Sequence, residues 1–142
     1  MFKSLAAAYD KFLNAVRTSE INPLNQQYVS EIVAEVTSGP DGLVDYYVDC
    51  DGFTDMSLAF TLGGGGTPAY AITVYFANET DGDPSGLTYF NVTAEFDSSG
   101  FIDADMLKQI SVRGISSVKV TVTVSGTSDD ADYKITAYKQ QG

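Results

Sequence analysis

The sequence predicts a mainly β protein, an antiparallel two-sheet β-sandwich with an N-terminal α-helical arm. Two observations predict the sandwich. Apolar residues recur with a period of two over most of residues 28–139, and clusters of Gly, Pro and Asp separate the alternating segments. A third observation predicts the arm, because the period changes to 3.6 over residues 2–17. We therefore expect a helical arm at 1–17, a linker at 18–27 and a sandwich domain at 28–142.

The strand predictions rest on segments in which apolar and polar residues alternate. The clearest runs from Val118 to Val124 and has a valine at every second position. The strong segments are 56–62, 70–76, 90–96 and 118–124, and the weaker ones are 28–37, 43–49 and 131–139. One apolar and one polar face per strand is typical of antiparallel sheets that cover a core on one side. The segment 103–110 fits either a strand or a short helix capped by Asp103.

The arm is predicted from one stripe of apolar side chains at spacings of three and four. The stripe consists of Phe2, Leu5, Tyr9, Phe12 and Val16. A helix this short is marginal in water, so its apolar stripe must pack on something. We expect the stripe to be the interface that attaches the protein to a partner, and packing on its own sandwich is the alternative. Pro23 ends the helical pattern, since the residue before a proline disfavours α geometry.

The acidic residues are concentrated in the middle of the chain. From Thr18 to Leu107 there are fifteen Asp and Glu residues and no Lys or Arg, and the net charge of the whole chain is −11. Such a surface repels phosphate backbones and anionic membranes, and it attracts cations and basic protein surfaces. We therefore expect protein partners, no nucleic-acid partner and no membrane partner.

Few residue types suited to catalysis are present. The chain has no histidine, which excludes the Ser-His-Asp and Cys-His arrangements. A lone cysteine, Cys50, cannot supply a zinc cluster or an intrachain disulfide. Carboxylates are abundant, but abundance does not indicate the spaced pair that glycoside hydrolysis needs. The sequence thus predicts a protein that is not an enzyme and has no cofactor, with calcium as the one candidate ion.

The candidate calcium ligands are four aspartates around the first predicted turn after residue 48. They are Asp45, Asp49, Asp51 and Asp55. Ca²⁺ prefers several oxygen ligands, and the pattern Asp-x-Asp-Gly at residues 49–52 has a faint likeness to a calcium loop. The remaining ligands of such a loop are missing. Solvated turn aspartates are the alternative interpretation.

Three tyrosines are predicted on the polar faces of strands. They are Tyr75, Tyr89 and Tyr138. An aromatic ring with a polar end suits a protein interface or a sugar-binding platform. The absence of tryptophan from the chain weakens the sugar interpretation, and packing beneath loops is a further alternative.

A family resemblance rests on the C-terminal part of the chain. Residues 110–123, the turn at Gly126 and the strand at 132–138 resemble the closing strand pair of small sandwich proteins in tailed-phage virions. These proteins are of the jelly-roll or galactose-binding-like type. The resemblance implies a jelly-roll-like sandwich that serves as a non-enzymatic structural virion subunit, such as a capsid decoration (cement) protein or a neck or tail accessory protein.

The resemblance also implies partners and a location. The partners would be other virion proteins and copies of the chain itself. We expect synthesis in the host cytoplasm without a signal peptide, because the apolar run from Leu5 to Ala8 is too short for one, and incorporation into the virion. The alternative function is a carbohydrate-binding β-sandwich module that takes a glycan at Tyr75, Tyr89 or Tyr138.

Overall fold

The computed structural model describes residues 28–63, 68–80, 82–96, 101–102, 105–126 and 129–141. The strands in these ranges are β1 Tyr28–Gly39, β2 Gly42–Asp49, β3 Asp55–Leu62, β4 Ala69–Ala77, β5 Phe90–Asn91, β6 Phe101–Ile102, β7 Met106–Ser111, β8 Ser117–Ser125 and β9 Ala131–Gln140. A 3-10 turn covers Pro84–Gly86, and the short helix α1 covers Thr93–Phe96. No helix in this part of the chain is long and apolar enough to cross a membrane. The predicted arm and linker lie outside the described residues.

The strands form two antiparallel sheets. Sheet A has the order β1-β9-β3-β7. Sheet B has the order β2-β8-β4, and the two-residue strands β5 and β6 pair with different parts of β4 in the place of a fourth strand. With β5 and β6 counted as one interrupted strand, this order is the one found in eight-stranded jelly rolls. The prediction of a mainly β, two-sheet antiparallel architecture is confirmed.

The core lies between the sheets and is built from every second residue of the long strands. In sheet B the four valines of β8 from Val118 to Val124 point inward. In sheet A the inward side chains include Leu58, Phe60 and Ile135, which are at most 1% exposed. Burying each such side chain contributes about 1.5–3 kcal/mol, so the period-two pattern is also the main source of stability.

The structure differs from the prediction at residues 90–96, where only Phe90–Asn91 form a strand and α1 follows. Local hydrogen bonds interrupt the ladder. Asn91 Oδ1 accepts from Thr93 N at 2.9 Å and from Thr93 Oγ1 at 2.7 Å, and Thr93 Oγ1 accepts from Val74 N at 3.0 Å. The side chain of Thr93 thus takes the place of a backbone partner for β4. Such local competition is common for Asn and Thr and is invisible to a periodicity argument.

The ambiguous segment 103–110 contributes a strand. Strand β7 pairs with β3 from Ser111 opposite Asp55 to Met106 opposite Phe60. This pairing makes β7 an edge of sheet A, and its long-range hydrogen bonds decide between two local conformations that the sequence leaves open. The expected cap, Asp103, lies outside the described residues.

Candidate functional site

The outer face of sheet A exposes a large apolar side chain on each of its two edge strands. One row across the four strands reads Ile32, Thr136, Ala59 and Leu107. Ile32 is 58% exposed and Leu107 is 64% exposed. The short side chains of Thr136 and Ala59 lie between these two ridges. This arrangement is limited to one row, because Lys134 and Tyr138 flank Thr136 on the same face of β9. We call the row, with Ile32 and Leu107 as its two ridges, the sheet A trough.

Tyr138, one of the predicted interface residues, lies on the same face in the neighbouring row. It is 44% exposed, and its ring stacks on that of Tyr28 with centroids 5.6 Å apart. In this row Tyr138 is followed across the sheet by Ser57 and Gln109. A shallow groove of about 410 Å³ opens here, with Tyr138, Ser57 and Gln109 in its wall. The groove thus lies in the rows next to the trough on the same face.

The outer face of sheet B carries a cluster of three tyrosines around a lysine. Register places Tyr47 and Tyr75 on either side of Lys119. The Nζ of Lys119 lies 4.3 Å from the ring centroid of Tyr75 and 4.9 Å from that of Tyr89. The rings of Tyr47 and Tyr89 are 5.9 Å apart. Each lysine–ring contact contributes about 0.5–1 kcal/mol at an exposed site, so the cluster is largely satisfied by its own members.

Tyr89 lies in a loop rather than on the predicted strand, and its hydroxyl fixes that loop to sheet B. It donates to the carbonyl oxygen of Pro84 at 2.7 Å and lies 2.9 Å from Ser117 Oγ. Burial raises the pKa of Tyr89, against the effect of the bond to Ser117, and burial also raises the pKa of Tyr47. Tyr75 and Tyr89 are half-buried, so they fit the packing interpretation better than Tyr138 does.

The four candidate calcium ligands are held in separate places. Asp45 Oδ1 accepts from Thr121 Oγ1 at 2.6 Å on the outer face of sheet B. Asp49 Oδ1 accepts from the backbone N–H of Asp51 at 3.0 Å in the turn after β2. Asp55 begins β3 in the other sheet. Among the described residues, no group of three or more His, Cys, Asp or Glu side chains could hold a metal ion.

The separation has a simple cause, and it corrects the predicted four-aspartate site. Asp45 and Asp49 lie four residues apart on one extended strand, which places them about 13 Å apart. Asp55 belongs to the opposite sheet. The predicted ligands therefore do not form one site in this structure.

We expect the melting temperature to be unchanged by millimolar calcium at constant ionic strength. A ligand stabilises a protein only if it binds the native state better than the unfolded one, and scattered carboxylates provide no such site. Differential scanning calorimetry with calcium chloride against sodium chloride of matched ionic strength measures this. A calcium-specific rise that Asp49→Asn with Asp51→Asn removes would contradict the expectation.

Sequence reasoning missed an inward-facing lysine at the end of the sandwich. Lys139 is only 5% exposed. Its Nζ lies 3.2 Å from Glu31 Oε1, donates to the carbonyl oxygen of Asp49 and lies 4.8 Å from the ring centroid of Phe53. Glu31 Oε1 accepts no hydrogen bond, so its contact with Lys139 is electrostatic only. The sequence contains a signal for this inward orientation, because Lys139 lies an even number of positions from the inward-facing residues of β9.

The single cysteine lies in the same region of the protein. Cys50 is fully buried, and its Sγ lies 3.8 Å from Met56 Sδ. Burial raises the pKa of the Cys50 thiol to about 12, an effect that the charge of Lys139 opposes. A buried, protonated thiol is a poor nucleophile, so Cys50 serves packing here.

Comparison with known proteins supports the fold and no family. No protein-family model matches the chain, and no curated protein matches its sequence. Among solved structures, the chain is similar to the SPBc2 prophage-derived protein YomS, with a TM-score of 0.51 and 12% sequence identity. This match covers 81% of the present chain and 94% of YomS. At this identity the likeness shows a shared fold.

Two further solved structures match with lower scores. The VP2 subviral particle of infectious bursal disease virus has a TM-score of 0.39 at 13% identity, over 82% of this chain and 33% of VP2. A structure of carbohydrate-binding modules from the β-sandwich superfamily has a TM-score of 0.28 at 15% identity, over 82% of this chain and 52% of that chain.

Proposed function

We propose that the chain is a non-enzymatic structural subunit of a phage particle, as a capsid decoration protein or a neck or tail accessory protein. It joins copies of itself and other virion proteins, and its N-terminal arm is the element that attaches it. The observation that carries the proposal is the sheet A trough, where a sheet face exposes two large apolar side chains to solvent. Large apolar side chains left exposed on a sheet face support a contact with another protein there, provided that the contact covers both of them.

Charge and fold support the same proposal. The acidic surface disfavours nucleic acid and anionic membranes and favours protein partners with basic surfaces. The jelly-roll strand order is used in viral capsid and lectin domains. YomS, which has the same fold over nearly its whole length, is described as prophage-derived. The absence of histidine removes the commonest general base from any catalytic scheme.

Replacing Phe2, Leu5 and Phe12 with serine should abolish self-association and leave the sandwich folded. Each side chain contributes about 2 kcal/mol if it is buried at an interface, so the triple variant loses most of the binding free energy of the arm. Sedimentation velocity at micromolar concentration gives the mass of each variant, and far-ultraviolet circular dichroism reports the sheets.

The matched control is Ala7→Ser, which lies on the side of the predicted helix opposite the stripe. It should keep the mass of the unsubstituted chain. A triple variant that assembles like the control would show that the arm is not the attachment element. An unsubstituted chain that stays monomeric at all concentrations would count against self-assembly altogether.

The second candidate function is a carbohydrate-binding module, and one observation favours it. A cleft of about 320 Å³ beside the sheet B cluster has Tyr47, Asp49, Asp51 and Glu79 in its lining. An aromatic ring with carboxylates that accept hydrogen bonds from sugar hydroxyls is a suitable pairing for a neutral glycan. Binding on a glycan array that Tyr47→Ala abolishes would favour this function over the structural one.

A further inference from the structure

We propose that sheet A continues from one copy of the chain into the next, with β1 of one copy paired antiparallel to β7 of its neighbour. The inference rests on the proposed function for the presence of neighbouring copies, and it names the strands through which they meet. These two strands are the edges of sheet A. No described strand covers the far side of β1 at residues 29–32 or of β7 at residues 107–110. The backbone groups there are available to an added strand.

The directions of the two edge strands suit this pairing. Three successive antiparallel pairings connect β1 to β7, so these strands run in opposite directions. Copies that share one orientation along the strands therefore bring β7 antiparallel to the neighbouring β1, as in the rest of the sheet. The contact joins two different surfaces, so it repeats from copy to copy and closes into a ring where the rotation between copies allows it.

One register matches the side chains on both faces of the extended sheet. It uses the part of β1 before Ile32, because the pairing of β1 with β9 shifts between Ile32 and Ala34. Outward side chains of β1 must lie beside outward side chains of β7, so the possible registers differ in steps of two residues. The pairs in the matching register are Val29 with Ile110, Ser30 with Gln109, Glu31 with Lys108, and Ile32 with Leu107.

The apolar pairs of this register cover side chains that a single copy leaves exposed. Ile32 is 58% exposed and Leu107 is 64% exposed, and on the outer face each would cover the other. On the inner side of the sheet, Val29, which is 36% exposed, would meet the half-buried Ile110. Directly opposed apolar side chains stabilise a strand pair, so both contacts favour this register.

Glu31 and Lys108 provide a pair of opposite charges. Both occupy inward positions, opposite Ala137 and Leu58, but at the sheet edges their side chains reach solvent. Among the described residues, Oε1 of Glu31 has no hydrogen-bond donor, so the carboxylate can accept a bond from Lys108 of the next copy. A lysine on an edge strand normally discourages pairing, whereas opposite a glutamate it selects this partner.

Other edge pairings fit less well. A shift of two residues places Lys108 opposite Val29 in one direction and opposite Val33 in the other. Strand β2, an edge of sheet B, carries Asp45 and Asp49 and no basic residue, so two copies of it would bring like charges together. At the other edge of sheet B, β5 and β6 have two residues each, too few to hold a long strand.

The paired edges set the orientation between copies rather than most of the affinity. Four residue pairs bury on the order of a few hundred Å² per partner, below the roughly 800 Å² of a stable interface. In the proposed function the arm supplies the remaining contact. A neighbour attached in this way meets the edge strand at high effective concentration, so a small contact suffices to fix the register.

Disulfide cross-linking of the full chain with Ser30→Cys and Gln109→Cys tests the pairing. Both positions are exposed, and these substitutions keep the apolar and charged pairs of the register. Within one copy, three strand spacings of about 14 Å in total separate the two positions, too far for an intrachain disulfide. Native Cys50 is fully buried and stays out of the reaction. Under mild oxidation we expect a ladder of covalent oligomers on a non-reducing gel.

Three further variants serve as matched comparisons, each checked for folding by circular dichroism. Ser30→Cys with Ser111→Cys shifts one cysteine by two residues on the same face and should give little cross-linking. Lys108→Glu, added to the first cysteine pair, should lower the cross-linked fraction about tenfold, because it places two carboxylates opposite each other. Arg113→Glu makes the same change of charge outside β7 and should leave the ladder intact.

The outcomes separate this pairing from the proposed function. Equal ladders for the two cysteine pairs, or a ladder that Lys108→Glu leaves intact, would overturn the pairing. A chain that self-associates in sedimentation velocity without a cross-link between positions 30 and 109 would also overturn it and leave the structural function standing. A chain that is monomeric throughout would overturn both the pairing and the self-assembly that the proposed function includes.

Discussion

Replacing Lys139 with alanine is expected to lower the free energy of unfolding by about 3 kcal/mol, because the change removes a buried side chain together with its hydrogen bond to a backbone carbonyl. Lys139 is 5% exposed, donates to the carbonyl oxygen of Asp49, pairs with Glu31 and lies over the ring of Phe53. The substitution removes these contacts and leaves a cavity. Urea denaturation at neutral pH measures the change.

Glu31→Gln is the matched comparison, and its effect should be much smaller. The Glu31 side chain is 40% exposed, and ion pairs of exposed carboxylates contribute about 0–1 kcal/mol. Lys139→Met keeps most of the aliphatic stem and should fall between the two. Equal losses for Lys139→Ala and Glu31→Gln would show that the ion pair, rather than burial and the bond to Asp49, dominates this cluster.

The sequence predicted the architecture well because the sandwich core repeats one simple rule. Val118 to Val124 alternate with Lys119, Thr121 and Thr123, and the structure places the valines inside. The same rule identified the strands that became β1, β2, β3, β4 and β9. A side-chain period of two fixes which face is buried, whatever the neighbouring strand is.

The surfaces were harder to predict because they depend on register between distant segments. Ile32 and Leu107 become opposite ridges only after β1, β9, β3 and β7 align. Tyr47, Lys119 and Tyr75 likewise meet across three strands. The sequence therefore identified Tyr138 as an exposed tyrosine, but it could not show the trough beside which Tyr138 lies. The arm predicted at residues 1–17 remains a prediction.

The two outer faces of the sandwich differ in how far contacts among their own side chains cover the large side chains exposed there. On sheet B, Lys119 covers the rings of Tyr75 and Tyr89, and Tyr89 is hydrogen-bonded to Pro84 and Ser117. On sheet A, the apolar ridges border short side chains and have no comparable cover among the described residues. Burial of Ile32 and Leu107 on sheet A, or of the exposed edge residue Leu43 on sheet B, would therefore add free energy to the binding of a partner, whereas the tyrosine–lysine cluster of sheet B would add less.

Stability is expected to fall steeply as the pH rises from about 9 to about 12, because Cys50 must stay protonated in the folded state. Burial raises the pKa of its thiol from an ordinary value near 9 to about 12. The unfolded chain therefore loses this proton first, and above pH 9 the unfolded state binds fewer protons than the folded one. The contribution is complete below pH 9 and is lost as the pH approaches 12. Burial raises the pKa of Tyr133 as well, in the same direction.

Urea midpoints measured at about pH 8, 10 and 11 give the slope, whose upper limit is about 1.4 kcal/mol per pH unit for one group. Cys50→Ala opens a small cavity and therefore lowers stability at every pH. The change of stability with pH, rather than its absolute value, reports the titration of the thiol. The variant should therefore show a shallower decline above pH 9 than the unsubstituted chain. Tyr133→Phe should remove a separate part of the decline at higher pH, because its hydroxyl, 2.7 Å from that of Tyr46, is also held protonated. Parallel slopes for the unsubstituted chain and Cys50→Ala would contradict the expectation, because they would show that the thiol ionises while the chain is still folded.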